Sequence, residues 1–216
     1  FPYTTLFRSG YGCGSEGHPG RGAGMKLVLA THNQGKVAEL RAILEPAVPG
    51  LELIGYDGPE PIEDGTSYLE NALIKARAAA LHTGLPAIAD DSGLAVEILG
   101  GSPGIFTAIW AGGRDNLANR RLLLAQLNDI ADEHRAASFV CTIAMVSDEG
   151  EQSFTGVWPG SISREERGEF GHGYDPIFIP EGFEVTAAEL PPEVKNSMSH
   201  RAMALQQLIS ALSSRL

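Results

Sequence analysis

The first half of the chain alternates between strand-like and helix-like hydrophobic patterns. Lys26–Ala30 is a short apolar run, which is typical of a buried strand, and Thr31–Gly35 is a polar turn. Apolar residues then recur at helical spacing over Lys36–Leu44, and Pro46 and Pro49 are expected to end this helix. The opening unit is therefore predicted to be strand, turn and helix.

A second strand and a second helix are predicted to follow. The strand covers Leu51–Gly55, and a Pro-rich acidic loop separates it from the helix. Ser67 and Glu70 form the S-x-x-E pattern of a capping box, and Gly84 fits the residue that follows a helix. The buried side of this helix is predicted to consist of Leu69, Leu73, Ala76 and Ala80.

Strand patterns dominate the middle of the chain. Pro86–Ala89 is predicted to be a short strand that ends directly at Asp90–Gly93, whose residue types favour a turn. Ser138–Ser147 is rich in β-branched residues, as expected for a strand buried on both faces, and Gln152–Trp158 is its predicted partner. Strands that alternate with helices, followed by a strand pair, indicate an α/β fold with a mixed sheet.

Two further helices complete the predicted elements. Asn116 is the predicted N-cap of a helix that runs to Leu127, and Ser199 is the predicted N-cap of the last helix. A Gly-rich loop, Gly168–Gly173, lies between them. The apolar face of the last helix is predicted to contain Ala202, Leu205, Leu208, Ile209 and Leu212.

Composition adds a boundary near the start of the chain. The chain has 216 residues, of which 43% are hydrophobic and 20% charged, and these proportions are typical of a globular protein. Residues 1–24 are rich in glycine and contain no apolar segment of the kind found in signal peptides. We therefore expect residues 1–24 to be a non-native or disordered tail, and residues 25–216 to form one domain.

Charge and cysteine content limit the classes of function. The net charge is −11, whereas nucleic-acid binders usually present a basic surface, so no nucleic-acid partner is expected. No apolar run is as long as a transmembrane helix, so no membrane partner is expected either. Cys13 and Cys141 form no disulfide framework, which favours a reducing, cytoplasmic location.

The first candidate for chemistry is the turn between the opening strand and helix. Free backbone N–H groups at a helix N-terminus favour an anion, and Gly35 and Lys36 add close approach and a positive charge. The turn is not a P-loop, because Ala30 and Val37 occupy the positions of its first glycine and its Ser/Thr. A strand–helix turn with a surface lysine is the alternative. The turn consists of Thr31, His32, Asn33, Gln34, Gly35 and Lys36.

The second candidate is the acidic pair Asp90 and Asp91. Two adjacent carboxylates at the end of a strand are costly unless a cation or a proton neutralises them. Mg²⁺ takes one or two carboxylates and completes its shell with water and phosphate oxygens. Glu63 and Asp64, in the acidic loop, are candidates for a further ligand. An ordinary turn is the alternative interpretation of the pair.

Two later groups are candidates for ligand contacts. Lys195, His200 and Arg201 place basic residues near the start of the last helix, which is unfavourable unless an anion or a base lies there. Gly171–Pro176 places a histidine ring between glycines, where the ring can stack on a nucleobase. A solvated helix end and an ordinary Gly-rich turn are the alternatives.

Taken in order, five segments resemble the inosine triphosphate pyrophosphatase family, also called Ham1-like. Each segment alone is a weak signal, but their order makes the combination specific. The resemblance implies a long twisted mixed sheet with flanking helices, two lobes around a central cleft, and a homodimer. The segments are LATHNQGKVAEL, EDGTSYLENALIKARAA, PAIADDSGLAVEILGGSPGIFTA, GYDPIF with Pro180, and KNSMSHRAMAL.

The resemblance also implies an activity and a set of site residues. The reaction is the Mg²⁺-dependent hydrolysis of ITP, dITP, XTP or dXTP to the monophosphate and pyrophosphate, which cleanses the nucleotide pool. Asp91 is implied as the catalytic base and a metal ligand, with Glu63 as the second ligand. Thr31–Lys36 and Lys75 are implied to bind the triphosphate, and Ser92 the substrate. The nucleoside is implied to lie among His172, Gly173, Tyr174, Asp175, Lys195, His200 and Arg201.

Two departures from the family pattern keep alternatives open. His172 stands where the family usually has phenylalanine, and Ile109 lies in a segment where it usually has arginine. Both changes concern base selectivity or packing more than the reaction. A Maf-like pyrophosphatase that acts on pyrimidine or modified nucleotides is therefore the alternative, and a nucleotide-binding protein without turnover is a third hypothesis.

Overall fold

A mixed sheet of seven strands organises residues 24–214, which the computed structural model describes. The predicted tail, residues 1–24, lies outside the described residues apart from Gly24, so its boundary stays a prediction. The strands are β1 (Met25–Leu29), β2 (Leu51–Gly55), β3 (Ala87–Val96), β4 (Ser102–Pro103), β5 (Ala136–Ser147), β6 (Gly150–Ile162) and β7 (Phe178–Pro180). The helices are α1 (Gln34–Ala47), α2 (Tyr68–Thr83), α3 (Asn116–Gln126), α4 (Pro192–Met198) and α5 (His200–Ser213).

Parallel and antiparallel pairings meet in the sheet at β3. The strand order is β2-β1-β3-β5-β6-β7, and the short β4 pairs with the far end of β3. β1 is parallel to both β2 and β3, whereas β3–β5, β5–β6 and β6–β7 are antiparallel. This arrangement confirms the predicted α/β class with a mixed sheet. No helix within residues 24–214 is both long and apolar enough to cross a membrane.

One face of the sheet carries two separate hydrophobic cores. On β3, Ile88 belongs to the core beneath α1 and α5, and Leu94 belongs to the core that contains α3 and β7. Asp90 and Ser92 occupy the positions between them on the same face, because side chains of a strand alternate between faces. The two cores are therefore two lobes, and polar residues of β3 lie in the cleft between them.

The opposite face of the sheet is covered by α2, which packs through small residues. Ala72, Ala76 and Ala79 are fully buried and let the helix lie close to the strands. The predicted buried side of this helix was partly wrong, because Leu69 is 39% exposed. The helix has both an alanine-rich side and leucines. Its alanine side packs on the sheet, because small side chains let the two backbones approach closely.

Most predicted helix ends are confirmed. Ser67 Oγ accepts from the Glu70 N–H at 3.2 Å, and Ser199 Oγ accepts from the Ala202 N–H at 3.3 Å. Gly84 adopts the left-handed conformation, with φ 68°, that a residue after a helix requires. These polar contacts are local in sequence, and the pattern therefore predicts them well.

Three predicted details of the helices were wrong or incomplete. The N-cap of α3 is Asp115 and not Asn116, because Asp115 Oδ1 accepts from the N–H groups of Leu117 and Ala118. Pro46 does not end α1, since a proline in the last turn removes only one intrahelical bond. The short helix α4 was not predicted, and it ends at Met198, one residue before the N-cap of α5.

Gly156 on β6 sets how closely α5 approaches the sheet. A Cβ atom built at this position would lie 2.8 Å from the Ala204 backbone nitrogen and 2.8 Å from the Met203 Cβ. Both atoms belong to α5, and a backbone atom cannot swing away as a long side chain can. The absence of a side chain at Gly156 therefore places the first turn of α5, with its basic residues, against the strands.

Substitution of this glycine tests the close approach. We expect Gly156→Ala to lower the free energy of unfolding by about 1–3 kcal/mol, the usual cost of overpacking. Gly113→Ala is the matched control, because a Cβ there meets nothing within 4 Å. Urea denaturation of both variants measures the difference, and equal stabilities would contradict the proposed role of Gly156.

Candidate active site

The acidic pair lies inside β3 and not in a turn beyond its end. Asp90 pairs with Ile143 of β5 and Asp91 with Thr142, and the ladder continues to Val96. The predicted short strand with a terminal acidic turn was therefore wrong. Pairing with the long strand β5 supplies backbone hydrogen bonds that outweigh the turn preference of the sequence Asp-Asp-Ser-Gly. Because side chains alternate along a strand, the two carboxylates project to opposite faces of the sheet.

Asp90 holds two cations in the cleft between the lobes. Lys36 Nζ donates to Asp90 Oδ1, and Arg201 Nε lies 3.9 Å from Asp90 Oδ2. The Asp90 side chain is only 9% exposed. Its burial alone would raise the pKa, but Lys36 and Arg201 outweigh this effect and lower the pKa to about 2. Asp90 is therefore a permanently ionised carboxylate that orients α1 and α5.

Asp91 lies among a different set of groups on the α2 face. Lys75 Nζ lies 3.3 Å from Asp91 Oδ1 and 2.9 Å from Glu63 Oε2, and Asn71 Nδ2 lies 3.5 Å from Asp91 Oδ2. Burial raises the pKa of Asp91, and the positive charge of Lys75 offsets only part of this effect. A carboxylate with a raised pKa accepts a proton more readily, as a general base must.

Lys75 remains charged between the two carboxylates. Its burial would lower its pKa, but Asp91 and Glu63 outweigh that effect and raise it. The structure thus places the predicted ligands Asp91 and Glu63 around one cation, which is the ammonium group of Lys75. Within residues 24–214, no three His, Cys, Asp or Glu side chains converge as a preformed metal cage.

The predicted phosphate turn is held by local hydrogen bonds. Asn33 Oδ1 accepts from the Lys36 N–H at 3.1 Å and caps α1, and Thr31 Oγ1 accepts from the Asn33 N–H at 3.2 Å. His32 bonds outside the turn, because its Nε2 atom lies 2.8 Å from the carbonyl oxygen of Gly58. A cavity of 340 Å³ beside the turn is lined by Thr31, His32 and Lys36, but not by Asn33, Gln34 or Gly35.

A second, larger cavity lies across the cleft. Its volume is 450 Å³, and its floor contains the stacked rings of Phe139 and His200, whose centroids are 4.9 Å apart. The predicted nucleoside residues and Ser92 all line it, namely Ser92, His172, Gly173, Tyr174, Asp175, Lys195, His200 and Arg201. The basic residues near the start of α5 and the Gly-rich segment before β7 are thus brought together in one cavity.

Several of these residues form the wall of the cavity, and their polar side-chain atoms are already hydrogen-bonded within the protein. Tyr174 is buried, and its hydroxyl donates to the Thr107 carbonyl at 3.0 Å. Asp175 is buried, bonds Lys195, and accepts from the His172 N–H at 2.7 Å. His172 itself is exposed at the rim.

Three polar atoms of residues that line this cavity are buried and have no hydrogen-bond partner. Ser92 Oγ, His200 Nδ1 and Arg201 Nε make no hydrogen bond with the described part of the chain. Buried polar atoms without a partner are rare in folded proteins, and at a cavity they mark groups that a ligand can satisfy. Burial, together with the charges of Arg201 and Lys195, lowers the pKa of His200 to about 3. The imidazole is therefore neutral at physiological pH.

The sequence analysis missed some residues of the site. Asn71 contacts Asp91 and also accepts from the Gly65 N–H at 2.9 Å, and it precedes Lys75 by one helical turn. That spacing on one helix face was a signal for its role. Phe139 and Asn116 line the larger cavity, but no local pattern distinguishes them from other apolar or loop residues.

The fold and the site together define an α/β protein whose cleft joins a polar, charged cavity to a larger cavity with an aromatic floor. Comparison with known proteins identifies the family. The sequence model of the Ham1 family matches residues 27–211. This chain belongs to the Ham1 family, and the predicted resemblance is confirmed.

Relatives of known name and structure agree with this assignment. The dITP/XTP pyrophosphatase of Leifsonia xyli subsp. xyli is 58% identical over 190 residues, which cover 87% of this chain and 96% of the relative. That of Nocardia farcinica is 48% identical, with 87% and 94% covered. The solved HAM1 protein from Coxiella burnetii has a TM-score of 0.82 at 41% identity, with 88% of this chain and 99% of that chain covered.

The low pKa of His200 makes stability depend on pH. Between about pH 6.5 and 3 the unfolded chain binds a proton at this histidine and the folded chain does not, so stability falls as pH falls. We expect a loss of about 2 kcal/mol between pH 7 and pH 5 from this group. In His200→Gln the loss should be smaller, whereas in His134→Gln, at an exposed histidine, it should be unchanged. Urea denaturation at both pH values measures this loss of stability. An equal loss in the two variants would refute the assignment of the pH dependence to His200.

The two aspartates should differ when each is replaced by asparagine. Asp90→Asn leaves Lys36 and Arg201 without their buried counter-ion, and we expect a loss of roughly 3 kcal/mol in unfolding free energy. Asp91→Asn removes a charge that burial disfavours, so stability should change by about 0.5 kcal/mol or less. Thermal and urea unfolding of both variants provide the comparison. Equal losses of unfolding free energy in the two variants would show that Asp90 and Asp91 do not differ in their contribution to stability.

Proposed function

We propose that the chain hydrolyses non-standard purine nucleoside triphosphates, ITP, dITP, XTP and dXTP, to the monophosphate and pyrophosphate. The observation that carries the proposal is a cleft in which a polar, charged cavity lined by Asp90 meets an aromatic-floored cavity lined by Arg201, whose Nε lies 3.9 Å from Asp90 Oδ2. Relatives up to 58% identical are named dITP/XTP pyrophosphatases. The activity removes deaminated purines from the nucleotide pool.

The smaller cavity suits the polyphosphate chain. Lys36 and Lys75 line it, and the N-terminus of α1 adds a favourable dipole for an anion. We assign the residues of the turn, Thr31–Lys36, to this role as a group. Lysines that neutralise charge on the departing pyrophosphate lower the barrier, because that charge grows as the bond to the α-phosphorus breaks.

Asp91 is the proposed general base. A water molecule attacks the α-phosphorus, its proton passes to the Asp91 carboxylate, and the bond to the β-phosphate oxygen breaks to release pyrophosphate. Asn71 and Lys75 hold the Asp91 carboxylate in place, where it can accept the proton of the attacking water. Ser92, next along β3, lines the nucleoside cavity and is assigned to substrate contact.

The acidic residues fit a divalent cation. Asp91 and Glu63 both reach the ammonium group of Lys75, so two carboxylate oxygens are already directed toward one positive charge. Mg²⁺ prefers this kind of donor set, with one or two carboxylates and the remaining positions left to water and phosphate. We therefore propose Asp91 and Glu63 as its ligands, where the ion would supply further neutralisation of the phosphate charge.

The larger cavity is proposed to select the base. A 6-keto purine offers an acceptor where adenine offers a donor, and the guanidinium of Arg201 has only donors. An amino group facing Arg201 would leave buried donors unpaired, and such mismatches discriminate strongly. Neutral His200 on the Phe139 ring adds a flat surface, and Lys195 and His172–Asp175 complete the surroundings of the nucleoside.

Neither alternative hypothesis has comparable support. A Maf-like pyrophosphatase is not favoured, since the family match is to Ham1 over residues 27–211. A binding protein without turnover is not favoured either, since relatives up to 58% identical are named pyrophosphatases. A homodimer in the cytoplasm is the expected assembly and location. Exposed apolar side chains such as Phe106 and Ile109 are consistent with a subunit interface.

A panel of substrates tests the proposed activity. We expect pyrophosphate release from ITP, dITP and XTP with Mg²⁺ to exceed that from ATP, dTTP and UTP by at least about a hundredfold in kcat/KM. Chelation of the metal should abolish release. The Asp91→Asn protein is the matched control, because it should fold normally and give no product. Equal rates with ATP or UTP, or full activity of Asp91→Asn, would defeat the assignment.

A further inference from the structure

The cations that line the smaller cavity differ in whether a carboxylate already pairs with them. Lys36 is bonded to Asp90, and Lys75 is bonded to Glu63 and Asp91. Arg114 lines the same cavity, is exposed, and has no carboxylate partner within residues 24–214. Around this cavity the cationic Lys and Arg side chains, Arg114 included, equal the Asp and Glu side chains in number, so without Arg114 a polyphosphate would meet a net negative charge.

Arg114 also approaches the cavity from a different direction. Every other residue that lines it belongs to residues 30–90, which run from the end of β1 through α1, β2, the acidic loop and α2 to the start of β3. Arg114 lies on the connection between the 3₁₀ helix Gly104–Ile109 and α3, on the side of the second lobe. Arg114 therefore lines the cavity from a part of the chain different from the elements that carry Lys36 and Lys75.

The backbone on both sides of Arg114 is fixed, although its side chain is free. Asp115 Oδ1 accepts from the N–H groups of Leu117 and Ala118 at 2.9 and 3.1 Å. Before Arg114, the buried Asn119 accepts from the Ala111 N–H at 2.6 Å and donates to the Ala108 carbonyl at 3.0 Å. Because the backbone is already ordered, binding has to order only the Arg114 side chain.

We propose that Arg114 is a substrate-binding residue that closes the polyphosphate cavity from the second lobe and contacts the phosphates that leave as pyrophosphate. The chemistry of the side chain supports this, because a guanidinium presents a planar fork of donors that bonds two phosphate oxygens at once. A contact that spans the cleft would also draw the two lobes together around the nucleotide. The inference rests on the proposed function, since it names a further residue of the same site.

The test compares Arg114→Ala with Arg121→Ala. Arg121 is an exposed arginine of α3 that lines neither cavity, so its removal changes the net charge equally. Loss of a charged hydrogen bond predicts a fall of roughly 10- to 100-fold in kcat/KM for ITP in Arg114→Ala and little change in Arg121→Ala. Arg114→Lys should recover part of the loss, because the charge remains and the fork is gone.

Product inhibition separates a phosphate contact from a general structural effect. The inhibition constant of pyrophosphate should rise by a similar 10- to 100-fold in Arg114→Ala, whereas that of IMP, which lacks the leaving phosphates, should stay the same. Thermal unfolding should be unchanged. Equal pyrophosphate inhibition in the Arg114→Ala and Arg121→Ala proteins, or a parallel rise for IMP, would overturn the proposal.

Direct binding distinguishes failure of this inference from failure of the proposed function. Calorimetric titration of the unmodified protein and both variants with inorganic tripolyphosphate and Mg²⁺ needs no turnover. Weaker binding in Arg114→Ala alone supports the contact even if ITP is not hydrolysed. Identical binding in all three proteins contradicts the contact even if ITP is hydrolysed rapidly.

Discussion

Adjacent residues of an extended strand project to opposite faces of a sheet, and the site of this protein depends on that alternation at Asp90 and Asp91. β3 continues through both residues because β5 pairs with it along its whole length. One carboxylate therefore enters the cleft between the lobes, and the other enters the space beneath α2. A turn at this point would have placed both side chains on one edge, and their charges would have competed for the same cation.

The separation gives each carboxylate a distinct electrostatic environment. Asp90 is buried with Lys36 and Arg201, which lower its pKa to about 2, and it links the N-terminal turns of α1 and α5 to the sheet. Asp91 has a raised pKa and reaches Lys75 and Glu63. The network around Asp90 thus supports the architecture of the cleft, while the groups around Asp91 are suited to proton transfer. Gly156 contributes by letting α5 lie close enough for Arg201 to approach Asp90.

The positions of the two residues that depart from the family pattern limit what these departures can change in the cavities. His172 is exposed at the rim of the larger cavity, while Phe139 and His200 already provide stacked rings in its floor. Ile109 is 45% exposed and lines neither cavity. Ile109 therefore contributes nothing to the lining of either cavity. The aromatic floor remains available to a purine whichever side chain stands at position 172.

The sequence by itself determined the α/β class, the positions of most helices and strands, and the types of residue that carry the chemistry. These features are local, since the capping hydroxyls of Ser67 and Ser199 and the strand–turn–helix around Lys36 depend on residues a few positions apart. Tertiary structure alone decided that β3 runs through Asp90–Gly93, that α2 buries its alanines, and that Phe139 lines the larger cavity. Each of these outcomes depends on a partner distant in sequence, and the free energy of pairing or burial against that partner outweighs the local preference.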